Sequence, residues 1–233
     1  MAKSPASKAP KAEPASPRDR IIDALMTLAG DMRWDQITLS MITAKADVSL
    51  ADLRDHYPSK GAILGGFSKR IDRIVLDATG EDMLGEPARE RVLDIMMRRL
   101  DALAPYKAGL KEIRNATRRD PLMLAALNQL ALNSWRYMLA AADIETEDEL
   151  GLLRIQGAAL VFVRTLDTWF DDEGDDLART MAKLDKELGN GEKIMGRLQD
   201  LQRLAAPFRG FFRAAMERRA GKRSPDSENR AAW

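Results

Sequence analysis

The chain has 233 residues, of which 45% are apolar and 31% are charged, a composition typical of a soluble globular protein with an ample core. The absence of cysteine excludes disulfides and thiolate metal sites, and a single histidine, His56, argues against imidazole-based metal clusters and Ser-His-Asp chemistry. The net charge of +1 conceals two basic ends, residues 1–70 and 205–233, and an acidic middle, residues 143–176, so a polyanion would prefer the ends.

The first segment, residues 1–16, is rich in Pro, Ala and Lys and lacks the apolar core of a secretion signal. We expect a disordered basic arm, which is either simply solvated or follows a phosphate backbone. No apolar run in the chain approaches the roughly 18 residues that span a bilayer.

Short helices are predicted to follow the arm. Ser16 as cap, Pro17 at the first helical position and Asp19 at the third mark the start of the first helix. The third helix should end near Tyr57, because Pro58 disfavours helical backbone in the residue before it. The first four predicted helices cover residues 17–32, 38–46, 50–57 and 60–79.

Longer helices are predicted beyond Gly80, and no alternating Val, Ile, Thr and Tyr pattern suggests strands. These helices cover residues 86–106, 107–119, 121–142, 147–170, 175–188, 192–204 and 207–223. The predicted fold is therefore all-α, with a domain boundary near Arg70. The predicted segments are a small head of short helices over 17–70, a larger helical domain over 71–204, a basic amphipathic helix over 205–221 and a disordered tail over 222–233.

The two short helices joined by a tight turn predict a helix-turn-helix. Residues 18–66 resemble the TetR family of one-component transcription regulators. The resemblance lies in Thr38, the segments 42–44 and 46–49, the pair His56-Tyr57 and the pair Ser59-Lys60. It implies a three-helix head that binds double-stranded DNA on a larger helical bundle that binds a small ligand and forms a homodimer.

The predicted recognition helix departs from the family pattern at Ala51, Asp52 and Arg54. Arg54 can pair with a phosphate or with a guanine edge. Asp52 would repel phosphates, but it stands three residues after Ser49, the spacing of a reciprocal capping box. A cytosine contact by Asp52 and a loss of DNA binding stay as alternatives, and Asp55 is a repulsive charge without an explanation.

Candidates for DNA contact come from the whole motif: Thr38, Ser49, Leu50, Arg54, His56, Tyr57 and Lys60. Thr38 and Ser49 would serve equally well as helix caps, and His56 and Tyr57 as packing residues. Lys60 stands at a helix N-terminus, where the helix dipole disfavours a cation, so we expect it to face an anionic partner.

Aromatic residues and methionine on the later helices suggest an adaptable pocket for an apolar small molecule or a lipid. The pocket candidates are Trp135, Met138, Phe162 and Trp169, with an ordinary core as the alternative. No cofactor or metal is expected, because no nucleophile, paired acids or Gly-rich phosphate loop indicates catalysis, and the acidic turn before residue 177 lacks the spacing of a calcium loop.

Residues from about 98 to 200 also resemble the lipid-binding accessory proteins of ubiquinone biosynthesis, which share the TetR-like fold. The resemblance lies in Trp135, the turn at 141–143, Arg154, the pair Asp171-Asp172 and Thr180. That family typically ends in a membrane-contacting helix, and this chain has an apolar face beside arginines near its end. The residues of that face are Phe208, Phe211, Phe212 and Met216. Docking of this helix on its own domain or on a dimer partner is the alternative.

The sequence therefore favours a non-enzymatic, TetR-like transcriptional regulator, cytoplasmic in a bacterium, that binds DNA and senses an apolar ligand. The alternative is a non-enzymatic lipid-binding accessory protein of ubiquinone biosynthesis, with a degenerate helix-turn-helix and peripheral membrane contact. The neighbouring genes would separate the two hypotheses.

Overall fold

The structure is a computed structural model that describes residues 16–80, 83, 85–174 and 176–197. These residues form helices joined by turns, with no strand among them, which confirms the predicted all-α fold. In these ranges no helix is both long and apolar enough to cross a membrane. The predicted arm and tail lie outside the described residues. The predicted C-terminal helix, with Phe208, Phe211, Phe212 and Met216, lies outside them as well.

The elements agree closely with the predicted order. They are α1 (Pro17–Asp31), the 3-10 helix η1 (Trp34–Gln36), α2 (Leu39–Ala46), α3 (Leu50–His56), α4 (Lys60–Ala78), α5 (Ala88–Leu103), the 3-10 helix η2 (Ala104–Tyr106), α6 (Lys107–Thr117), α7 (Pro121–Ala141) and α8 (Gly151–Trp169).

Each of the first four α-helices begins at a Ser or Thr that caps it. The side chains of Ser16, Thr38, Ser49 and Ser59 each accept a hydrogen bond from the backbone N–H three residues later. Such caps satisfy donors that a helix start otherwise leaves open, and each is worth about 1 kcal/mol. These local signals explain why the sequence predicted the helix starts well.

Helices α1 to α4 pack around fully buried aliphatic side chains such as Leu25, Ile42 and Ile63. Helix α4 continues without a break across Arg70 and carries on into the bundle. Of the described residues, those up to Asp185 belong to one compact unit and those from Lys186 onward to a second. The boundary near Arg70 therefore remains a prediction.

Helix α6 forms the main contact between the head and the bundle, since α1 and α6 touch more extensively than any other pair of described helices. Their close approach depends on Gly109, where an added Cβ would lie 2.7 Å from the backbone oxygen of Met26. Gly30 faces the same crossing on α1. The small residues allow the two backbones to meet directly.

The bundle brings α4, α5, α7 and α8 together around large buried side chains, including Met96, Leu100, Trp135 and Met138. The first half of α7 contributes no buried residue, because the side chains there border a cavity or face outward.

The acidic turn after α8 is held by a buried hydrogen-bonding side chain. The Asp172 carboxylate accepts from the Thr180 backbone N–H at 2.9 Å and from its hydroxyl at 2.7 Å, and these bonds hold the pKa of Asp172 below its ordinary value. Both residues are buried.

The first unit is helical from 178 to 185, and the second from 186 to 197, including Gly189 and Gly191. The predicted interruption between residues 188 and 192 is therefore wrong: the glycines weaken a helix without ending it.

Candidate functional site

The outward face of α3 is set by a single buried residue. Leu53 is 2% exposed, and it alone among the seven residues of α3 is buried. Because successive helical residues turn by about 100°, the side opposite Leu53 carries Ala51 and Asp55, with Arg54 beside them. The charge that points most directly away from the core is thus the Asp55 carboxylate.

Asp52 and Ser49 form the predicted capping box. The Ser49 backbone N–H donates to Asp52 Oδ2 at 3.0 Å, and the Asp52 N–H donates to Ser49 Oγ at 3.0 Å. The hydroxyl of Ser49 also donates to the carboxylate, and these bonds lower the pKa of Asp52. The capping prediction is confirmed, so Asp52 is explained by the local backbone.

Of the two alternatives for Tyr57, DNA contact and packing, the structure shows packing, because its side chain points into the head. The residue is 5% exposed, and its hydroxyl accepts from Arg18 Nε at 3.1 Å. An added Cβ on Gly66 would lie 2.5 Å from the Tyr57 oxygen, so the ring occupies the space that a side chain there would need. Tyr57 fixes the end of α3 onto α1 and α4.

Lys60, which was expected to face an anionic partner, has partners within the chain. Its ammonium donates to the carbonyls of Trp34 and Ile37, both at 2.9 Å, and lies 4.7 Å from the centre of the Trp34 ring. Partial burial lowers its pKa, with a weaker opposing effect from Asp35. Lys60 therefore ties η1 to the start of α4, and a phosphate contact stays a prediction.

The remaining candidates are all exposed. Thr38 and Ser49 are helix caps, and Leu50 is 56% exposed on α3. Arg54 and His56 are also exposed, and Arg54 has no ion pair within the described part of the chain. DNA contact by these five residues remains a prediction that their positions allow.

A cavity of about 400 Å³ lies among α4, α5, α6, α7 and α8. Its wall is mainly apolar and includes Leu64, Phe67 and Ile71 from α4 and Leu110 and Ile113 from α6. This volume is in the range of cavities that hold small organic ligands, and such sites typically combine apolar walls with a few polar groups.

Two of the four predicted pocket residues line the cavity, and two do not. Trp135 and Phe162 line the cavity, with ring centroids 5.2 Å apart. Met138 and Trp169 do not line it and are fully buried in the core, so their assignment to the pocket is wrong. Met138 lies about one turn beyond Trp135 on α7, past the end of the cavity. Trp169 turns away from it and packs near Lys107, whose Nζ is 5.1 Å from the ring centre.

The contributions of α4 and α6 to this cavity were not predicted from the sequence. On α6, Leu110, Ile113 and Thr117 line it at helical spacing, so the amphipathic pattern of that segment was a usable signal. On α4, the lining residues fall partly within the predicted DNA-binding domain. Only the packing of the head on the bundle brings them to a ligand site.

Four charged side chains line the cavity within the described residues: Arg99, Arg114, Arg118 and Asp167. Arg99 is buried and pairs with Asp72 on α4 at 2.5 Å. Arg114 and Arg118 both reach Asp167 on α8, at 2.7 Å and 3.5 Å. No group of three or more acidic or histidine side chains suited to a metal ion occurs in the described ranges.

Helices α2 and α3 thus form an exposed helix-turn-helix, and α6 lies between the head and an apolar cavity. A curated relative is the HTH-type transcriptional repressor KstR of Rhodococcus jostii (strain RHA1), 28% identical over 138 residues. The match covers 58% of this chain and 55% of the relative, so it spans about half of the relative's length. No family model matches the chain.

Solved structures of TetR regulators share the fold. One from Nitrosomonas europaea ATCC 19718 has a TM-score of 0.59 at 22% identity, covering 75% of this chain and 97% of its own. One from Rhodococcus sp. RHA1 has a TM-score of 0.55 at 17% identity, covering 75% and 95%. A third, from Streptomyces coelicolor, has a TM-score of 0.51 at 15% identity, covering 86% and 99%.

The chain therefore has the TetR-like fold, and the resemblance to the TetR family predicted from the helix-turn-helix motif is confirmed. These relatives are transcriptional regulators, and they do not favour the alternative of a lipid-binding accessory protein.

Proposed function

We propose that the chain is a non-enzymatic transcriptional regulator of the TetR type, which binds double-stranded DNA through α2 and α3 and an apolar small molecule in the cavity. The observation that carries the proposal is the position of α6, which lines the cavity and packs on the head. The name of the curated relative, a transcriptional repressor, agrees with this proposal.

A ligand would act on the head through α6. The Trp34 backbone N–H donates to Glu112 Oε1 on α6 at 3.0 Å, and the Trp34 carbonyl accepts from Lys60 at the start of α4. A ligand that moves Ile113 or Thr117 outward would shift α6 and, with it, η1 and α1. The orientation of α3 would then depend on whether the cavity is filled. A ligand that binds the shifted arrangement of α6 more tightly than the unshifted one moves the protein toward the shifted arrangement.

A homodimer would place two recognition helices on a two-fold DNA site. The dimer is supported by an outward-facing apolar stripe on α8. In the sequence, the apolar periodicity of this helix did not distinguish the stripe from core residues. Leu152, Leu153 and Leu160 are 64%, 48% and 45% exposed on one side of this helix, and none of them lines the cavity. Pairing two such stripes would remove this surface from water, where each buried Å² contributes about 25 cal/mol.

The DNA proposal predicts effects of opposite sign from neighbouring residues of α3. Arg54→Ala should weaken binding by about tenfold, because it removes a phosphate or base contact. Asp55→Asn should tighten binding by about fivefold, because it removes a carboxylate facing phosphates. Gel shifts with DNA from upstream of the protein's own gene and with random DNA of equal length would measure both effects.

Arg73→Ala is the matched control, since Arg73 is exposed on α4 and forms only a surface pair with Asp77. It should leave binding unchanged. If Arg54→Ala and Asp55→Asn behave like the control, α3 does not face DNA. A lack of sequence-selective binding by the unmodified protein at about 50 mM salt, where phosphate contacts are strong, would contradict the DNA proposal as a whole.

The dimer proposal is tested by mass in solution. Leu160→Glu should convert a dimer into a monomer in light scattering after size exclusion, because it places a charge in the pairing face. Leu122→Glu is the control, since Leu122 is 83% exposed but lies on α7 outside the stripe. A monomeric unmodified protein, or a Leu160→Glu variant that stays dimeric, would contradict pairing through α8.

A further inference from the structure

The cavity wall carries more positive than negative charge. Arg99 at its buried end is balanced by Asp72, which also accepts a hydrogen bond from Ser134 Oγ at 2.5 Å. The Arg99 guanidinium lies 5.9 Å from the Trp135 ring and 5.8 Å from the Phe162 ring, so it is held between a counterion and two aromatic faces. Its charge is accounted for within the protein.

The charge near the opening of the cavity is not balanced in the same way. Arg114 and Arg118 share one counterion, Asp167, at 2.7 Å and 3.5 Å. The side chain of Arg118 is 59% exposed, and that of Arg114 is 24% exposed with its guanidinium 5.2 Å from the Phe170 ring.

Two nearby carboxylates are already engaged. Asp120 caps α7 by accepting from the backbone N–H groups of Leu122 and Met123, and Asp171 pairs with Lys111 at 3.3 Å. Arg114 in the last turn of α6 and Arg118 directly after it lie about one turn apart and repel each other, and a single carboxylate compensates only one of them. One positive charge therefore remains at the edge of an apolar cavity.

We propose that the ligand is a hydrophobic monocarboxylic acid, whose apolar body fills the cavity and whose carboxylate pairs with Arg118 and Arg114. The proposal rests on the proposed function of the cavity as a ligand site and specifies the chemistry of that ligand. A monoanion matches the single excess charge, and the planar guanidinium presents paired N–H donors that fit a carboxylate. A neutral ligand of the same shape would leave that charge uncompensated beside an apolar surface.

Decanoate and decanol are suitable probes, because they have the same chain and differ in charge. Titration calorimetry of the full chain, with both probes below their aggregation limits, should show decanoate binding about tenfold more tightly than decanol. Arg118→Gln should remove most of that preference, so that decanoate binds about as weakly as decanol does.

Arg119→Gln is the matched control, because Arg119 adjoins Arg118, is exposed and does not line the cavity. It makes the same change in net charge and should keep the preference for decanoate. If it reduces the preference as much as Arg118→Gln does, the attraction is a general effect of net charge and the proposed pairing is wrong.

The remaining outcomes separate this inference from the proposed function. If decanol binds as tightly as decanoate, the cavity takes neutral ligands. The inference that the ligand is a carboxylic acid is then refuted, whereas the proposed ligand site stands. If neither probe binds the folded protein, the cavity is not a site for such ligands, and both the inference and the ligand half of the proposed function are overturned.

Discussion

Replacing Gly109 with alanine should destabilise the protein, although the same change normally strengthens a helix. Alanine is favoured over glycine by about 1 kcal/mol within a helix. At Gly109, however, the new Cβ would lie 2.7 Å from the Met26 carbonyl oxygen, which falls short of an ordinary contact of 3.4 Å by about 0.7 Å. The neighbouring atom belongs to the backbone of α1, so it cannot move aside as a flexible side chain would.

The magnitude follows from these two opposing effects. Overpacking of a tight contact typically costs about 1–3 kcal/mol, and the helix preference offsets about 1 kcal/mol of that. We therefore expect Gly109→Ala to lower the free energy of unfolding by up to about 2 kcal/mol. It should also push α6 away from α1, and so change DNA affinity even when the cavity is empty.

Gly189→Ala provides the control for the helix preference alone. Gly189 lies inside the helical residues 186–197, and outside its own helix backbone no atom lies within 4 Å of the Cβ that it would gain. This variant should be stabilised by about 1 kcal/mol. Urea and thermal denaturation followed by circular dichroism would compare the two variants. Each kcal/mol shifts Tm by about 2–4 °C for a chain of this size, so a difference of up to about 3 kcal/mol corresponds to a difference in Tm of up to about 12 °C. If Gly109→Ala is as stable as Gly189→Ala, the close approach of α1 and α6 does not exist as described.

Other variants test the contacts that hold the head and the acidic turn. Gly66→Ala should lower the free energy of unfolding by about 1–3 kcal/mol, because its Cβ would displace the buried Tyr57 ring, and thermal denaturation would show this loss. Lys60→Met should lower Tm as well as DNA affinity, because two carbonyls lose their donor; a loss of DNA affinity with unchanged Tm would instead indicate a direct phosphate contact. The lowered pKa of Asp172 stabilises the fold above the ordinary carboxyl pKa of about 3.9, and this contribution disappears as the pH falls through the lower, folded value. Thr180→Val should therefore reduce stability near neutral pH more than at strongly acidic pH, and equal losses at both pH values would contradict this role.

Helix starts could be predicted because their causes are local. The Ser49 and Asp52 side chains satisfy backbone groups only three residues away, so the capping box is readable from spacing alone. The same reasoning located Thr38 as a cap. It also separated the role of Asp52 from that of Asp55, whose outward position on α3 became clear only from the burial of Leu53.

The sequence could not decide between packing and DNA contact for Tyr57, or identify the internal partners of Lys60, because those partners are distant in the sequence. Tyr57 packs against Gly66 and receives a hydrogen bond from Arg18, 39 residues earlier. Lys60 reaches back to carbonyls in η1 and just after it, 26 and 23 residues before it. From spacing alone, an exposed cation at a helix start and a cation tied to a neighbouring turn look the same.

The sequence by itself determined that the chain is helical, where the first helices begin, and that two of them form a helix-turn-helix, because caps, turns and apolar periodicity act over a few residues. Only the tertiary structure decided which aromatic side chains surround a cavity and which arginines keep an excess of charge at its edge. Trp135 and Trp169 have similar sequence surroundings, yet one lines the cavity and the other fills the core. That difference arises because a cavity is the space that five packed helices leave between them, and no single helix encodes it.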